Sequence, residues 1–165
     1  MEKISRHVSY KEATNSATAK RLGILNSPTE AQLHNMSIVA KMVFEPLRVH
    51  FSVPIYVSSM FRSEELNKAL GGATSSQHMA NNGAAMDIDA DRYGRVTNEE
   101  IFSYIKDNLQ FDQLIAEGVE NGHVEWVHVS YKAKKNRNQV LIMYRENGKS
   151  KYLPYTKENY NKYIK

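Results

Sequence analysis

The order of apolar and polar positions predicts helices at the start of the chain. Ser9 and Glu12 form a capping-box pattern before a short helix, and Ser27 and Glu30 repeat it for a second helix, with Pro28 at the first helical position. The second helix carries apolar residues at helical spacing, namely Leu33, Met36, Val39, Met42 and Val43. Because proline has no backbone N–H, we expect Pro46 to end or kink this helix.

A strand, a third helix and a loop are predicted for the middle of the chain. Val53–Val57 is an apolar run typical of a buried strand. Ser63 is placed to cap a helix that stops at Gly71-Gly72. The residues that follow, 73–83, are mostly polar and predict a loop.

The second half of the chain is predicted to be rich in strands. Alternation over Ala84–Ala90 places Asp87 and Asp89 on one strand face, and Thr97 opens another helix. Later strands are predicted over Phe111–Ala116, His123–Tyr131, Gln139–Arg145 and Lys151–Tyr155, with turns at Asn121-Gly122 and Asn147-Gly148. Helices thus come first and antiparallel strands last. This order predicts an α+β fold, with N-terminal helices packed on a small antiparallel sheet, in a single domain over 1–165.

Composition narrows the chemistry that the chain can perform. Cysteine is absent, which excludes disulfides, thiolate metal sites and cysteine nucleophiles and leaves histidines and carboxylates as zinc ligands. The formal net charge is +4, which we interpret as a basic solvated surface, so we expect no nucleic-acid partner. No apolar run suits a signal peptide or a membrane span, so we expect synthesis in the cytoplasm.

Four short segments carry the candidate chemistry. They are Phe61-Arg62-Ser63, Ser76-Gln77-His78, Gly83-Ala84-Ala85-Met86-Asp87 and Glu125-Trp126-Val127-His128. A catalytic zinc site needs three protein ligands, an open position and a nearby carboxylate that accepts a proton. Two histidines and an aspartate provide the ligand types, and Glu125 provides the carboxylate.

The order of these segments resembles the M15 peptidase family of D-Ala-D-Ala carboxypeptidase-type zinc peptidases, particularly its small phage-associated members. The resemblance covers most of the chain. It rests on Pro46-Leu47-Arg48, Ser59-Met60-Phe61-Arg62-Ser63, a Leu-Asn with Gly-Gly, a Ser-x-His, a Gly-x-Ala-x-Asp and a Trp-x-His. It implies a fold like that of the DD-peptidases and the related hedgehog domain. It also implies zinc-dependent hydrolysis of a peptide bond in peptidoglycan, by a carboxypeptidase or an endopeptidase.

The resemblance further implies a role for each residue of the motifs. His78, Asp87 and His128 would bind Zn²⁺, Glu125 would be the general base, Arg62 would polarise the scissile carbonyl, and Ser76 would bind substrate. Zinc would acidify the attacking water, and zinc with Arg62 would stabilise the oxyanion. The implied partners are peptidoglycan peptides, met after release or delivery to the wall, and we expect a monomer.

The sequence departs from the family pattern in three respects. Ala80-Asn81-Asn82 lengthens the loop between the histidine and the aspartate, and Met60-Phe61 stands where Gly-Tyr is usual. Glu125 and His128 are three positions apart, so a regular strand would direct them to opposite faces. We therefore expect a bulge or twist near Trp126 if both residues serve one metal ion.

Several alternatives compete with this interpretation. Asp89 shares a strand face with Asp87, but the Gly-x-Ala-x-Asp register favours Asp87. An EF-hand starting at Asp87 is excluded because Arg92 and Asn98 occupy the positions that require Gly and Glu. The remaining histidines are interpreted as surface or structural residues: His7, His34, His50 and His123. A non-catalytic zinc module that binds wall peptide or a protein partner is the rival function, and Glu125 argues against it. Nucleic-acid binding through the basic segment 132–137 rests on charge alone.

Overall fold

The structure is a computed structural model that describes residues 2–164, which form seven α-helices and six strands. The helices are α1 (Tyr10–Thr14), α2 (Ala17–Leu22), α3 (Glu30–Val39), α4 (Glu45–Phe51), α5 (Glu64–Ala69), α6 (Asn98–Asn108) and α7 (Lys157–Tyr163). The strands are β1 (Tyr56–Ser59), β2 (Ala84–Asp89), β3 (Gln113–Val119), β4 (Trp126–Tyr131), β5 (Gln139–Glu146) and β6 (Lys149–Pro154). None of the helices in residues 2–164 is long and apolar enough to cross a bilayer.

Most of the predicted helix starts are confirmed by their caps. Ser9 and Thr97 each accept a hydrogen bond from the backbone N–H three residues ahead and complete the predicted capping boxes. The capping box predicted at Ser27 and Glu30 was wrong, because α3 begins two residues later, with Thr29 as its cap and Gln32 as the reciprocal partner. Ser63 caps α5 in the same manner, without the reciprocal bond. Helix α7 and its cap, Thr156, were not predicted, because the last predicted element is the strand that ends at Tyr155.

Pro46 neither ends the second helical segment nor separates it from the next one. A π-helical turn at Ala40–Phe44 joins α3 to α4, and the helical backbone continues through Pro46 to Phe51. The expectation of an end at Pro46 was therefore wrong. The reason is that Pro46 lies in the first turn of α4, directly after the π turn, where the missing N–H is tolerated.

The six strands form one sheet in the order β1-β2-β4-β3-β5-β6. All neighbouring strands are antiparallel except β3 and β5, which are parallel. The predicted α+β mixture of helices and sheet is confirmed, whereas a purely antiparallel sheet was wrong. Local patterns predict hairpins between strands that follow one another, but β3 and β5 are separated by β4, so their pairing depends on the whole fold. The turn at Asn147-Gly148 is confirmed between β5 and β6, and Asn121-Gly122 forms a turn in the β3–β4 connection.

The two faces of the sheet carry different kinds of residue. On one face, α3 and α6 pack against β2, β3 and β4. The strand residues on this face are apolar and buried, and include Met86, Ile88, Leu114, Val127, Val129 and Ile142. The opposite face carries the intervening residues of the same strands, among them Asp87 and His128. Buried apolar side chains form one cluster from Ile4 to Ile164, and on this ground we infer a single domain.

Candidate metal centre

Two adjacent strands and one short turn bring the predicted metal ligands together. Asp87 of β2 lies directly opposite His128 of β4 in the antiparallel ladder, so both side chains leave the same face. His78 belongs to a 3₁₀ turn, Gln77–Met79, which contacts β2. The predicted alternation of strand β2 thus directs Asp87 toward both histidines.

Both imidazole rings face one oxygen of Asp87. Nε2 of His78 lies 3.2 Å from Asp87 Oδ1, and Nδ1 of His128 lies 2.9 Å from the same atom. His78 and Asp87 are buried, and the His128 side chain is 11% exposed. One potential ligand atom from each residue lies within 4.8 Å of the others, which makes the three residues a compact group.

The backbone around the 3₁₀ turn fixes the orientation of His78. Its Nδ1 lies 2.7 Å from the carbonyl oxygen of Met60, which can only accept, so Nδ1 carries a proton and Nε2 is the nitrogen that faces Asp87. Ser76 Oγ accepts from the His78 N–H at 3.3 Å, and the Arg62 N–H donates to the His78 carbonyl at 2.9 Å. The turn therefore holds the histidine in an orientation suited to metal binding.

The donor set of this group fits zinc. Two imidazole nitrogens and one carboxylate oxygen are common ligands of catalytic Zn²⁺. Ligands at the usual distance of about 2.1 Å in a tetrahedral site are roughly 3.4 Å apart. The two contacts of Asp87 Oδ1, 3.2 and 2.9 Å, require only small movements to reach that spacing.

The electrostatics favour a charged Asp87. Burial opposes ionisation, but His78 and His128 outweigh it and hold the pKa of this carboxyl well below its usual range. The guanidinium of Arg62 adds a further positive group, with Nη2 at 3.3 Å from Asp87 Oδ2. Asp87 is therefore an ionised carboxylate over the physiological pH range and ready to act as a ligand.

Arg62 and Ser76 lie beside the three candidate ligands, as the sequence motifs predicted. All five residues line one cavity of about 960 Å³. The Arg62 side chain is 21% exposed, and its Nε donates to Ser59 Oγ at 3.3 Å. Ser76 belongs to segment 71–79, which lines the cavity throughout. Asn81 and Asn82 of the lengthened loop also line it, and Gln32 of α3 donates to Asn81 at 3.0 Å.

Glu125 is the predicted residue that the structure does not bring into this cavity. It precedes β4, its side chain is 54% exposed, and its Oε2 lies 3.0 Å from Arg145 Nη1. Its N–H donates to the Glu117 carbonyl at 3.0 Å. Glu125 is not among the described residues that line the cavity. The bulge expected near Trp126 is not seen in the pairing of β4 with β2 or β3, which agrees with the separation of Glu125 from His128. The register of β3 with β5 does shift, between Ala116 and Val119.

Glu117 is a cavity residue that the sequence analysis missed. It is buried on β3, and it lines the cavity together with His128 and Asp87. Burial raises its pKa to about 7, with a further increase from Asp87 and opposing effects of His128 and Arg62. The predicted strand ended at Ala116, three residues before the observed end at Val119. Extending the alternation from Gln113 and Ile115 would have placed Glu117 on their face.

The alternative ligands lie elsewhere. Asp89 accepts from the buried Asn98 side chain at 3.1 Å instead of joining the histidines. His123 is 77% exposed, His7 bonds Glu45 at 2.6 Å, and His50 stacks on Tyr104. His34 is exposed on α3. These positions agree with the surface or structural roles expected for the four histidines.

The basic segment 132–137 contributes its first and last residues, Lys132 and Arg137, to the lining of the same cavity. Lys132 and Arg137 both contact Asp112, at 3.2 and 2.7 Å, and all three residues line the cavity. Asp112 is fully buried, but the hydrogen bonds of Arg137 outweigh the effect of burial and lower its pKa to about 2. The Asp112 carboxylate thus neutralises part of the positive charge of segment 132–137.

Comparison with known proteins agrees with this geometry. Comparison with curated proteins found no match. A family model described as Peptidase M15 matches residues 6–130, a range that contains Arg62 and all three candidate ligands. This range is more than half of the chain, and the family is one of metallopeptidases. The chain therefore belongs to the peptidase M15 family.

Proposed function

We propose that this protein is a zinc peptidase that hydrolyses a peptide bond in peptidoglycan stem peptides or cross-links. The observation that carries the proposal is the buried group of His78, Asp87 and His128 on the floor of a large cavity, in a chain of the M15 family. In this proposal the three residues hold Zn²⁺. When bound, zinc supplies Lewis-acid chemistry that polarises a carbonyl and makes a water molecule more acidic.

The other cavity residues supply the remaining chemistry in the proposal. The guanidinium of Arg62, anchored by Asp87 and Ser59, stabilises negative charge on the carbonyl oxygen of the substrate. The Ser76 hydroxyl binds the substrate from the wall of the cavity. A carboxylate accepts a proton from the attacking water. The sequence pattern predicts Glu125 as this carboxylate. Because Glu125 does not line the cavity, that assignment stays a prediction.

The proposed place of action is the bacterial cell wall. The protein would be made in the cytoplasm, reach the wall after release or delivery, and act as a monomer, as a phage-type lysin would. A carboxypeptidase would remove a terminal D-Ala, and an endopeptidase would cut within the stem or cross-link. The segment 71–79, Asn81 and Asn82 line the cavity and are placed to influence this choice.

A non-catalytic zinc module that binds wall peptide is the second candidate. One observation favours it, since Glu125 pairs with Arg145 and does not line the cavity. Such a module would bind muropeptides with zinc present but leave them intact.

Mass analysis of muropeptides tests the proposal and separates the two candidates. Purified stem peptides and cross-linked dimers are incubated with the zinc-loaded protein, with a His78→Ala, His128→Ala double variant and with a His34→Ala variant as a surface control. We expect a defined mass loss with the wild type and the control only. Binding without cleavage by the wild type would establish the module, and cleavage by the double variant would exclude this metal site.

A further inference from the structure

The register of the sheet places Glu117 beside the candidate metal centre. Glu117 lies opposite Trp126 in the β3–β4 ladder, and Ile115 lies opposite His128. Opposite residues in antiparallel strands share a face, and so do residues two apart in one strand. Glu117 is therefore the diagonal neighbour of His128 on the face that also carries Asp87. Diagonal neighbours are about 7–8 Å apart or less, close enough for one water molecule to lie between their side chains.

Glu117 is much more buried than Glu125, the glutamate that the sequence pattern predicts as the base. The residue is only 9% exposed, yet it lines the cavity. Among residues 2–164, the Glu117 carboxylate forms no ion pair, although Arg62 and Arg145 influence it from a distance. Burial of a carboxyl group without an ion pair costs free energy, and carboxyl groups of this kind are concentrated at functional sites.

The Glu125 side chain lies outside the cavity lining and has its own contacts there. Its carboxylate pairs with Arg145, and its side chain packs against the Cα of Gly118. A Cβ atom at Gly118 would come within 2.5 Å of Glu125 Oε2 and 2.8 Å of Glu125 Cβ. Arg145 also lies over the Trp126 ring, with 5.9 Å from its Cζ to the ring centroid. Glu125, Arg145 and Trp126 thus form one packed cluster, which we name the rim cluster.

On the basis of the proposed peptidase function, we propose that Glu117, and not Glu125, is the general base of the reaction. The attacking water forms a C–O bond to the scissile carbonyl carbon and gives one proton to the Glu117 carboxylate. Glu117 then returns this proton to the amide nitrogen as the C–N bond breaks, which releases one new carboxyl end and one new amine. Glu125 stabilises the rim cluster and has no part in proton transfer.

Matched glutamine variants test this assignment. Glu117→Gln, Glu125→Gln and the exposed surface control Glu158→Gln are compared for zinc content, melting temperature, affinity for an uncleaved muropeptide analogue and cleavage rate. We expect all three to fold and to keep stoichiometric zinc and muropeptide affinity. Cleavage by Glu117→Gln should fall about 100- to 10,000-fold, the usual contribution of a general base. Cleavage by Glu125→Gln should remain within a few-fold of the wild type.

A second substitution at the same position, Glu117→Asp, distinguishes loss of the base from a structural effect of Glu117→Gln. Glu117→Asp keeps the carboxylate but shortens its reach, so we expect partial cleavage, above that of Glu117→Gln and with unchanged zinc content. Cleavage by Glu117→Gln within a few-fold of the wild type would overturn the inference. So would a collapse of cleavage in Glu125→Gln, or loss of zinc from Glu117→Gln. Failure of the wild type to cleave any muropeptide would overturn the proposed function, and this outcome is recognised from the wild type alone.

Discussion

At the scale of single residues, one oxygen of Asp87 is the point on which two histidine rings converge. His78 Nε2 and His128 Nδ1 both lie within 3.2 Å of Asp87 Oδ1. The two rings therefore hold the carboxylate between them. A cation bound by the same three residues would lie among ligand atoms that are already close together.

Removal of both histidines should abolish stoichiometric zinc binding. The His78→Ala, His128→Ala double variant keeps only one ligand, Asp87, and one carboxylate does not hold Zn²⁺ at catalytic sites. Elemental analysis after dialysis should find about one zinc per wild-type chain and almost none in the double variant. His34→Ala is the control because His34 is exposed on α3. Unchanged zinc in the double variant would show that the ligands lie elsewhere.

Arg62→Lys should lose activity although the charge is kept. The guanidinium contacts Asp87 and Ser59 at the same time, which a single ammonium cannot reproduce with the same geometry. We expect turnover to fall about 100- to 1,000-fold with zinc content unchanged, as for the loss of an oxyanion donor. Arg21→Lys, an exposed substitution at the end of α2, serves as the control. Wild-type turnover in Arg62→Lys would mean that the arginine has no catalytic contact.

At the scale of elements, the irregular end of β3 shapes the rim of the cavity. Gly118 has φ of +63°, and the Glu125 and Trp126 side chains occupy the space where a Cβ would be. A glycine is needed at this position for two reasons. This φ is unfavourable for residues that have a Cβ, and a side chain would displace the rim cluster.

Gly118→Ala should therefore be more damaging than a matched glycine substitution in open space. Gly148→Ala has a similar φ of +73° but no atom within 4 Å of its Cβ, so it reports the backbone strain alone, about 1–2 kcal/mol. Urea unfolding should show a larger loss for Gly118→Ala. The fluorescence of Trp126, the one tryptophan of the chain, should change in that variant only. Equal effects of both substitutions would mean that the rim cluster adapts freely.

The connection between β4 and β5 depends on Asp112 and should be sensitive to acid. The pKa of Asp112 in the folded protein is about 2, below the ordinary value of 3.8. A lowered pKa stabilises the fold above the ordinary value, and this stabilisation is lost as the pH falls toward 2. Asp112→Asn should cost about 2 kcal/mol at pH 7 and progressively less between pH 4 and pH 2.

Urea unfolding at several pH values checks this prediction. Asp107→Asn is the control, because its side chain is 59% exposed and its ion pair with Lys106 is a surface pair worth little. A constant cost of Asp112→Asn from pH 7 to pH 2 would contradict the linkage to ionisation.

At the scale of the whole molecule, the sheet separates stability from chemistry. Its helix-covered face contributes to the core, and its other face carries the candidate site. Adjacent residues of β5 illustrate the division, since Ile142 is fully buried in the core whereas Leu141 lines the cavity. The polar groups of the site thus stay out of the apolar core while remaining on rigid strands.

Alanine substitutions at these two adjacent positions should have different consequences. Ile142→Ala creates a core cavity and should cost about 2–5 kcal/mol, with muropeptide affinity unchanged below its melting temperature. Leu141→Ala should cost less stability and should alter muropeptide affinity. Calorimetric unfolding and binding titrations on both variants measure the two effects. A reversed order would show that the faces are not separated in this way.

The sequence by itself determined the features that depend on neighbouring residues. Capping boxes at Ser9 and Thr97 and the Asn147-Gly148 turn were predictable because a cap or a turn satisfies its hydrogen bonds within a few residues. The order of the motifs sufficed to predict that His78, Asp87 and His128 would gather, and the structure brings them together.

Only the tertiary structure decided the features that depend on strand register and packing. The parallel pairing of β3 with β5 and the burial of Glu117 both arise from contacts between distant segments. The sequence pattern alone could not distinguish Glu117 from Glu125, because each is a glutamate close to a strand. The ladder between β3 and β4 directs Glu117 to the face that lines the cavity, and the absence of a side chain at Gly118 leaves room for Glu125 in the rim cluster. The pairing of strands therefore decides which of the two carboxylates lines the cavity of the candidate metal centre.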